Sequence, residues 1–99
     1  MSGTVRLSRF AAGDIAEAHA WYQRAELGLG QKFLDSIEKT LDRNAQAALQ
    51  FPLAVRDTRR ALVPRFPYAI YFKITNEEIR VIAVLHQLRD PSLVQRRTR

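Results

Sequence analysis

The sequence predicts an α+β domain in the order β-α-α-β-β-β, with a helical hairpin packed on one face of a small antiparallel sheet. Three observations carry this. Two stretches repeat apolar residues at helical spacing, with Gly28 between them. Phe66, Tyr68, Ile70, Phe72 and Ile74 alternate with Pro67, Ala69, Tyr71 and Lys73, the period of a strand with one fully apolar face. Ile79 to His86 is apolar on both faces apart from Arg80, as a central strand would be.

Each element follows in order. Thr4-Val5-Arg6-Leu7-Ser8 alternates, with Val5 and Leu7 on one face, and reads as a short strand. Ser8 can then cap a helix by accepting a backbone N–H. Ala11, Ile15, Ala18, Tyr22 and Ala25 form its apolar stripe over about 9–25, and Trp21 widens it. Gly28 breaks this helix and Gly30 opens the next, over about 30–49. There Leu29, Phe33, Ile37, Leu41, Ala45 and Leu49 recur every four residues, Leu34, Leu41 and Ala48 add a second row, and Pro52 closes. Arg59 to Val63 reads as a strand that begins in charge, and Pro64 and Pro67 place any pairing around Arg65 and Phe66 at an edge or bulge. Thr75-Asn76-Glu77-Glu78 supplies a turn before the last strand, and Pro91 follows it. Gln95 to Arg99 lacks apolar periodicity, so residues from about 93 to 99 read as a loose basic tail. The expected core contains Phe33, Ile37, Leu41, Ile70, Phe72 and Val84.

Ninety-nine residues suit one domain spanning 1–99, with no linker or internal repeat. The absence of cysteine excludes disulfides, thiolate metal sites and thiol nucleophiles, and fits a reducing compartment. The longest apolar run, Val81 to Leu85, is strand-sized, and no apolar stretch follows Arg6 and Arg9, so neither a membrane span nor a signal peptide is expected. A cytoplasmic location is expected. The glycines form no phosphate-binding loop, and no carboxylate cluster surrounds His19 or His86. No metal and no cofactor are expected.

Charge is unevenly distributed. Residues 1–50 hold six basic and six acidic side chains, whereas residues 51–99 hold ten basic against four acidic, which is the whole net charge of +6. Nine of those ten are arginine, the residue suited to planar bidentate contacts with phosphate or carboxylate. An acidic partner is implied, against the plainer reading of a basic surface that serves solubility. The chemistry-bearing band is Arg56, Arg59, Arg60, Arg65, Tyr68, Tyr71, His86, Arg89 and Asp90. Tyr68 falls on the apolar face and reads as core packing, while Tyr71 points the other way and reads as more open. His86 reads equally as a hydrogen-bonded structural histidine or a proton-transfer group. Arg89 and Asp90 can pair with each other or cap the strand end.

Five segments, taken together, resemble the RelE/ParE superfamily of type II toxins. Ser8 to Ile15 resembles its "SPxAxxDL" opening, with Arg9 where the family usually has Pro. Gly28-Leu29-Gly30-Gln31-Lys32-Phe33 resembles the start of its second helix, and Phe51-Pro52 matches the Pro after that helix. Phe66 to Phe72 resembles the "FPYxIxY" strand, and Val84 to Pro91 resembles the "VLHxxRDP" ending. The resemblance covers about residues 4–92. It implies the same β-α-α-β-β-β fold and a toxin neutralised by a cognate antitoxin, whose acidic side chains would meet Arg59, Arg60, Arg65 or Arg89. The tail arginines Arg96 and Arg97 join that partner-binding set.

Two activities compete within the superfamily. ParE-like members bind DNA gyrase without enzymatic chemistry, and the FPY strand and "VLHxxRDP" ending resemble that side. His86 would then close the last strand, and Arg89 with Asp90 would fix the following turn. RelE-like members cut messenger RNA on the ribosome, and in that case His86 and Tyr71 become proton-transfer groups and Arg60, Arg65 and Arg89 phosphate clamps. The dense Lys/Arg set on the middle strands and the C-terminal Tyr of those nucleases are absent from this sequence. A diverged, weakly toxic or non-toxic member is the third reading.

Overall fold

The computed structural model describes residues 4–76 and 78–97. Strand β1 (Thr4–Leu7) leads into helix α1 (Arg9–Ala25) and helix α2 (Leu29–Ala47), which ends in one 3-10 turn (Ala48–Gln50). Strands β2 (Leu53–Val55), β3 (Thr58–Leu62), β4 (Tyr68–Thr75) and β5 (Glu78–His86) follow, and a short helix, α3 (Ser92–Arg97), comes last. The sheet order is β1-β5-β4-β3-β2.

Local sequence explains the helix boundaries. The Ser8 hydroxyl accepts the Ala11 amide at 3.1 Å and caps α1. Gly28 sits in the left-handed region at φ 89°, a conformation that side chains resist, and turns the chain into α2. Gly30 lets the two helices approach, since a Cβ there would lie 2.8 Å from the His19 ring and from Gln23 Oε1. The Gly30 amide donates to that same Gln23 oxygen. His19 is thereby accounted for by helix packing.

The hairpin covers one face of the sheet. Phe33, Ile37, Ile70, Phe72 and Val84 are buried there as expected, with Ala11, Ala18, Ile79 and Val81, while Leu41 is only half-buried at the margin. Trp21 does not widen the buried stripe of α1: it is 57% exposed, and its ring edge meets Tyr22.

Three expectations are corrected. The sheet is mixed: β2 to β5 pair antiparallel, but β1 runs parallel to β5, with Val5 opposite Ile79 and Arg6 opposite Arg80. Tight turns impose antiparallel pairing on successive strands. The chain between β1 and the rest passes through the whole helical hairpin, so no turn constrains β1. Second, the three residues Leu53–Val55 form an edge strand whose brevity hides any alternation. Third, the segment read as a loose tail is helical through Arg97, and Val94 is fully buried. Val94 and Leu93 pack on Ala69, Tyr71, Ala83 and Leu85, a second small core on the sheet face opposite the hairpin. Six helical residues are too few to show a period. Residues 98–99 of the expected tail, and Glu77 of the expected turn, lie outside the described residues.

A bulge organises β5. Tyr71 pairs with Ala83 and Phe72 with Val81, which leaves Ile82 as the extra residue. Val81 and Val84, three apart, therefore both face the hairpin, while Ala83 and Leu85 face α3. Side chains hold this irregular backbone. Asp14 of α1 accepts the Val84 amide at 2.9 Å and pairs with Arg97 of α3 through two hydrogen bonds of 2.6 and 3.1 Å. The Ile82 carbonyl accepts from Ser8 Oγ at 3.3 Å and from Arg97 at 3.4 Å. Helix α1, helix α3 and the central strand are locked at this one place.

Candidate interaction surface

Helix α3 crosses the sheet face opposite the hairpin and leaves a groove on either side. Near Pro91, where α3 begins, a groove of about 480 Å³ lies between β2, β3 and the end of β5. Arg60, Leu62, Leu53 and Arg89 line it. All four are exposed, and the two leucines are 52% and 59% so. Apolar side chains flanked by guanidinium groups are what a protein partner with acidic residues beside apolar anchors would meet.

Along β3, neighbouring side chains point to opposite faces. Arg60 lies opposite Tyr71 and enters the groove, while Arg59 lies opposite Phe72, on the hairpin side. Arg59 donates to the Phe51 carbonyl at 2.6 Å and to the Leu49 carbonyl at 3.4 Å. It is half-buried and ties down the end of α2. Arg65 is exposed elsewhere, beside Lys32 and Lys39 of α2, in a left-handed loop conformation at φ 71°. Arg96 is exposed on α3, and Arg97 is the half-buried partner of Asp14. Of the six expected partner-binding arginines, Arg60 and Arg89 share one groove.

The expected proton-transfer pair is not assembled. Tyr71 is buried at 5% exposure under α3 and Val55, contrary to its reading as the more open tyrosine. The alternation was right, but the face it points to is covered by a helix that the sequence did not reveal. His86 lies on the hairpin side, with its ring 5.5 Å from that of Tyr68. Its Nδ1 accepts the Leu88 amide at 3.1 Å, so in the neutral ring the proton sits on Nε2. That bond closes the turn after β5, and Asp90 continues it by accepting the Ser92 amide at 2.9 Å. No ion pair joins Arg89 and Asp90 among the described residues.

His86 does border a cleft of about 450 Å³ between α1 and the ends of β4 and β5, with Glu17, Tyr22, Tyr68 and Arg89. Burial, then Glu17 and Asp14, push the Tyr68 phenol above its ordinary range. It stays protonated at neutral pH and cannot serve there as a base. Tyr68 packs as its place on the apolar face predicts, with its ring against those of Phe33 and Tyr22.

A helical hairpin on a mixed sheet, with open arginine-bearing grooves on the other face, defines the class: a small basic α+β domain. The family follows from comparison. Residues 5–91 match the family described as the ParE toxin of the type II toxin-antitoxin system, parDE, and the chain belongs to it. Among solved structures it is similar to a chain from a chromosomal ParDE toxin-antitoxin system of P. aeruginosa. The TM-score is 0.71 at 22% identity, over 86% of this chain and 96% of that one, a likeness of fold. No curated protein matches. Among the described residues, no helix is long and apolar enough to cross a membrane.

Proposed function

We propose that this toxin acts in the cytoplasm by binding DNA gyrase, without catalysing a reaction, and that a cognate antitoxin silences it from the groove of Arg60, Leu62, Leu53 and Arg89. The observation that carries the first part is the separation of His86 from Tyr71. An acid and a base that cleave RNA must converge on one phosphate, whereas these two stand on opposite faces of the sheet, one of them buried. What the surface offers is spread over several exposed side chains, as in a binding protein.

Two assays test this. Gyrase with relaxed plasmid should lose supercoiling activity when the purified toxin is added, and His86→Ala should keep most of that inhibition. A catalytic acid or base would be worth about 10²–10⁴-fold alone. Codon-positioned cleavage on programmed ribosomes, abolished by His86→Ala with supercoiling untouched, would reverse the proposal in favour of a ribosome-dependent nuclease acting on mRNA.

For the antitoxin, the product of the neighbouring gene should co-purify with the chain. Arg60→Glu with Arg89→Glu should weaken the complex by roughly tenfold to a hundredfold and flatten its salt dependence. Calorimetric titration at two ionic strengths reads both quantities. An affinity indifferent to these charges would move the antitoxin elsewhere.

A further inference from the structure

The second groove, about 740 Å³, lies where Arg97 ends α3, against the β1–α1 junction. Its floor has an unusual register. Arg6 of β1 lies opposite Arg80 of β5, and Arg80 lies opposite Lys73 of β4. Three basic residues thus stand side by side across three adjacent strands, whose backbones are about 5 Å apart. Like charges directly opposite one another destabilise a sheet, so this rung carries a standing repulsion.

The repulsion is only partly relieved within the chain. Glu78 pairs with Arg6 at 2.6 Å and Asp57 with Lys73 at 3.5 Å. One side of each pair is more than 70% exposed, so both are surface ion pairs that exchange easily. The middle residue, Arg80, is exposed and has no carboxylate within ion-pair distance among the described residues. Arg9 adds a further cation, and the guanidinium groups of Arg9 and Arg97 lie 5.2 and 5.1 Å from the centre of the half-exposed Phe10 ring. Lys73, Arg80 and Arg97 belong to the basic second half, whereas Arg6 and Arg9 come from the first half, whose charges cancel.

We propose that this groove binds the sugar–phosphate backbone of a single nucleic-acid strand, with Arg80 at its centre. Five of its eleven lining residues are cations against one carboxylate, Glu78. Of the five, Arg9 and Arg80 have no ion-pair partner among the described residues, while Arg97 is held by Asp14. Nucleic-acid interfaces are far more positively charged than protein–protein ones, whose centres exclude charge. The groove on the other side of α3, with its exposed leucines, shows the contrast. A row of basic residues spanning about 10 Å of sheet suits two or three successive phosphates of one strand. This inference is independent of the gyrase reading.

The test uses the purified full chain, without gyrase or antitoxin, and a fluorescent oligo(dT) strand followed by anisotropy. Binding should fall by roughly 20-fold between 50 and 200 mM salt, as about three phosphate contacts require. Arg80→Glu should weaken it at least tenfold and lower the salt slope, and Arg80→Gln should fall between. Lys32→Glu changes net charge equally on the far side of the hairpin and should stay within about twofold. Equal losses from Lys32→Glu and Arg80→Glu would reduce the effect to net charge and end the proposal. So would poly-glutamate competing as well as oligo(dT) per unit charge, duplex DNA binding more tightly than the strand, or no measurable binding at 50 mM salt. Thermal melts of all variants check that each is folded.

Discussion

Asp14→Ala is expected to destabilise the protein by about 2–4 kcal/mol, toward the range found when one partner of a buried ion pair is removed, because this pair is largely but not fully buried. Both side chains of the Asp14–Arg97 pair are only 13% exposed. The same carboxylate accepts the Val84 amide on the strand after the bulge. Alanine would therefore leave a largely buried guanidinium without its counter-charge and the backbone N–H of buried Val84 without its acceptor. In a domain of this size a loss of about 3 kcal/mol lowers the melting temperature by on the order of 15 °C. Asp14→Asn should cost less, because an amide oxygen can still accept the Val84 amide. Chemical denaturation of Asp14→Ala, Arg97→Ala and the double variant isolates the pairwise coupling, expected at about 1–3 kcal/mol. Additive losses within experimental error would show that the pair does not join α3 to α1.

This lock also explains what the sequence could and could not reveal. Helices α1 and α2 were legible because long amphipathic stripes outweigh local noise, and the Ser8 cap and Gly28 break mark their ends. The central position of β5 was legible because both of its faces are apolar. The bulge at Ile82 was not, since alternation and near-continuous apolarity look alike in a strand covered on both sides. The covering helix α3 was hidden by its length and charge: four of its six residues are polar, and Val94 alone is fully buried. Without α3 in view, Tyr71 looks open, Arg97 looks free and Asp14 has no visible partner. The candidate site suffered from a second limit. Composition located the arginines in the second half, but register decides which share a face. Arg59 and Arg60 are adjacent in sequence and opposite in space, while Arg6 and Arg80, far apart in the chain, are neighbours on the sheet.

Phe33→Ala is expected to match or exceed the loss at Asp14, at about 3–5 kcal/mol, because a fully buried ring is replaced by a cavity that its neighbours can only partly fill. Phe33 is the hub of an aromatic cluster, with ring centroids 5.3 Å from Tyr22, 5.3 Å from Phe66 and 5.2 Å from Tyr68. These are the offset and edge-on contacts that aromatic rings favour. Tyr68 in turn carries His86 on its other side, so the loss should reach the cleft as well as the core. A second readout separates this from general loosening. Burial raises the phenols of Tyr22 and Tyr68 above their ordinary value of 10.0, with Tyr68 adding to the effect on Tyr22, and Glu17 and Asp14 adding to that on Tyr68. With the folded value above the unfolded one, their contribution to stability is complete below about pH 10 and is lost as pH rises through the folded value. Water entering the cavity of Phe33→Ala should bring both phenols back toward 10.0 and remove that alkaline dependence. Ultraviolet titration of tyrosinate under folded conditions, beside denaturation at neutral and alkaline pH, measures both effects. Unchanged tyrosine titration in a variant that has lost stability would mean that the cluster closes over the gap, and that the cleft beside His86 does not depend on Phe33.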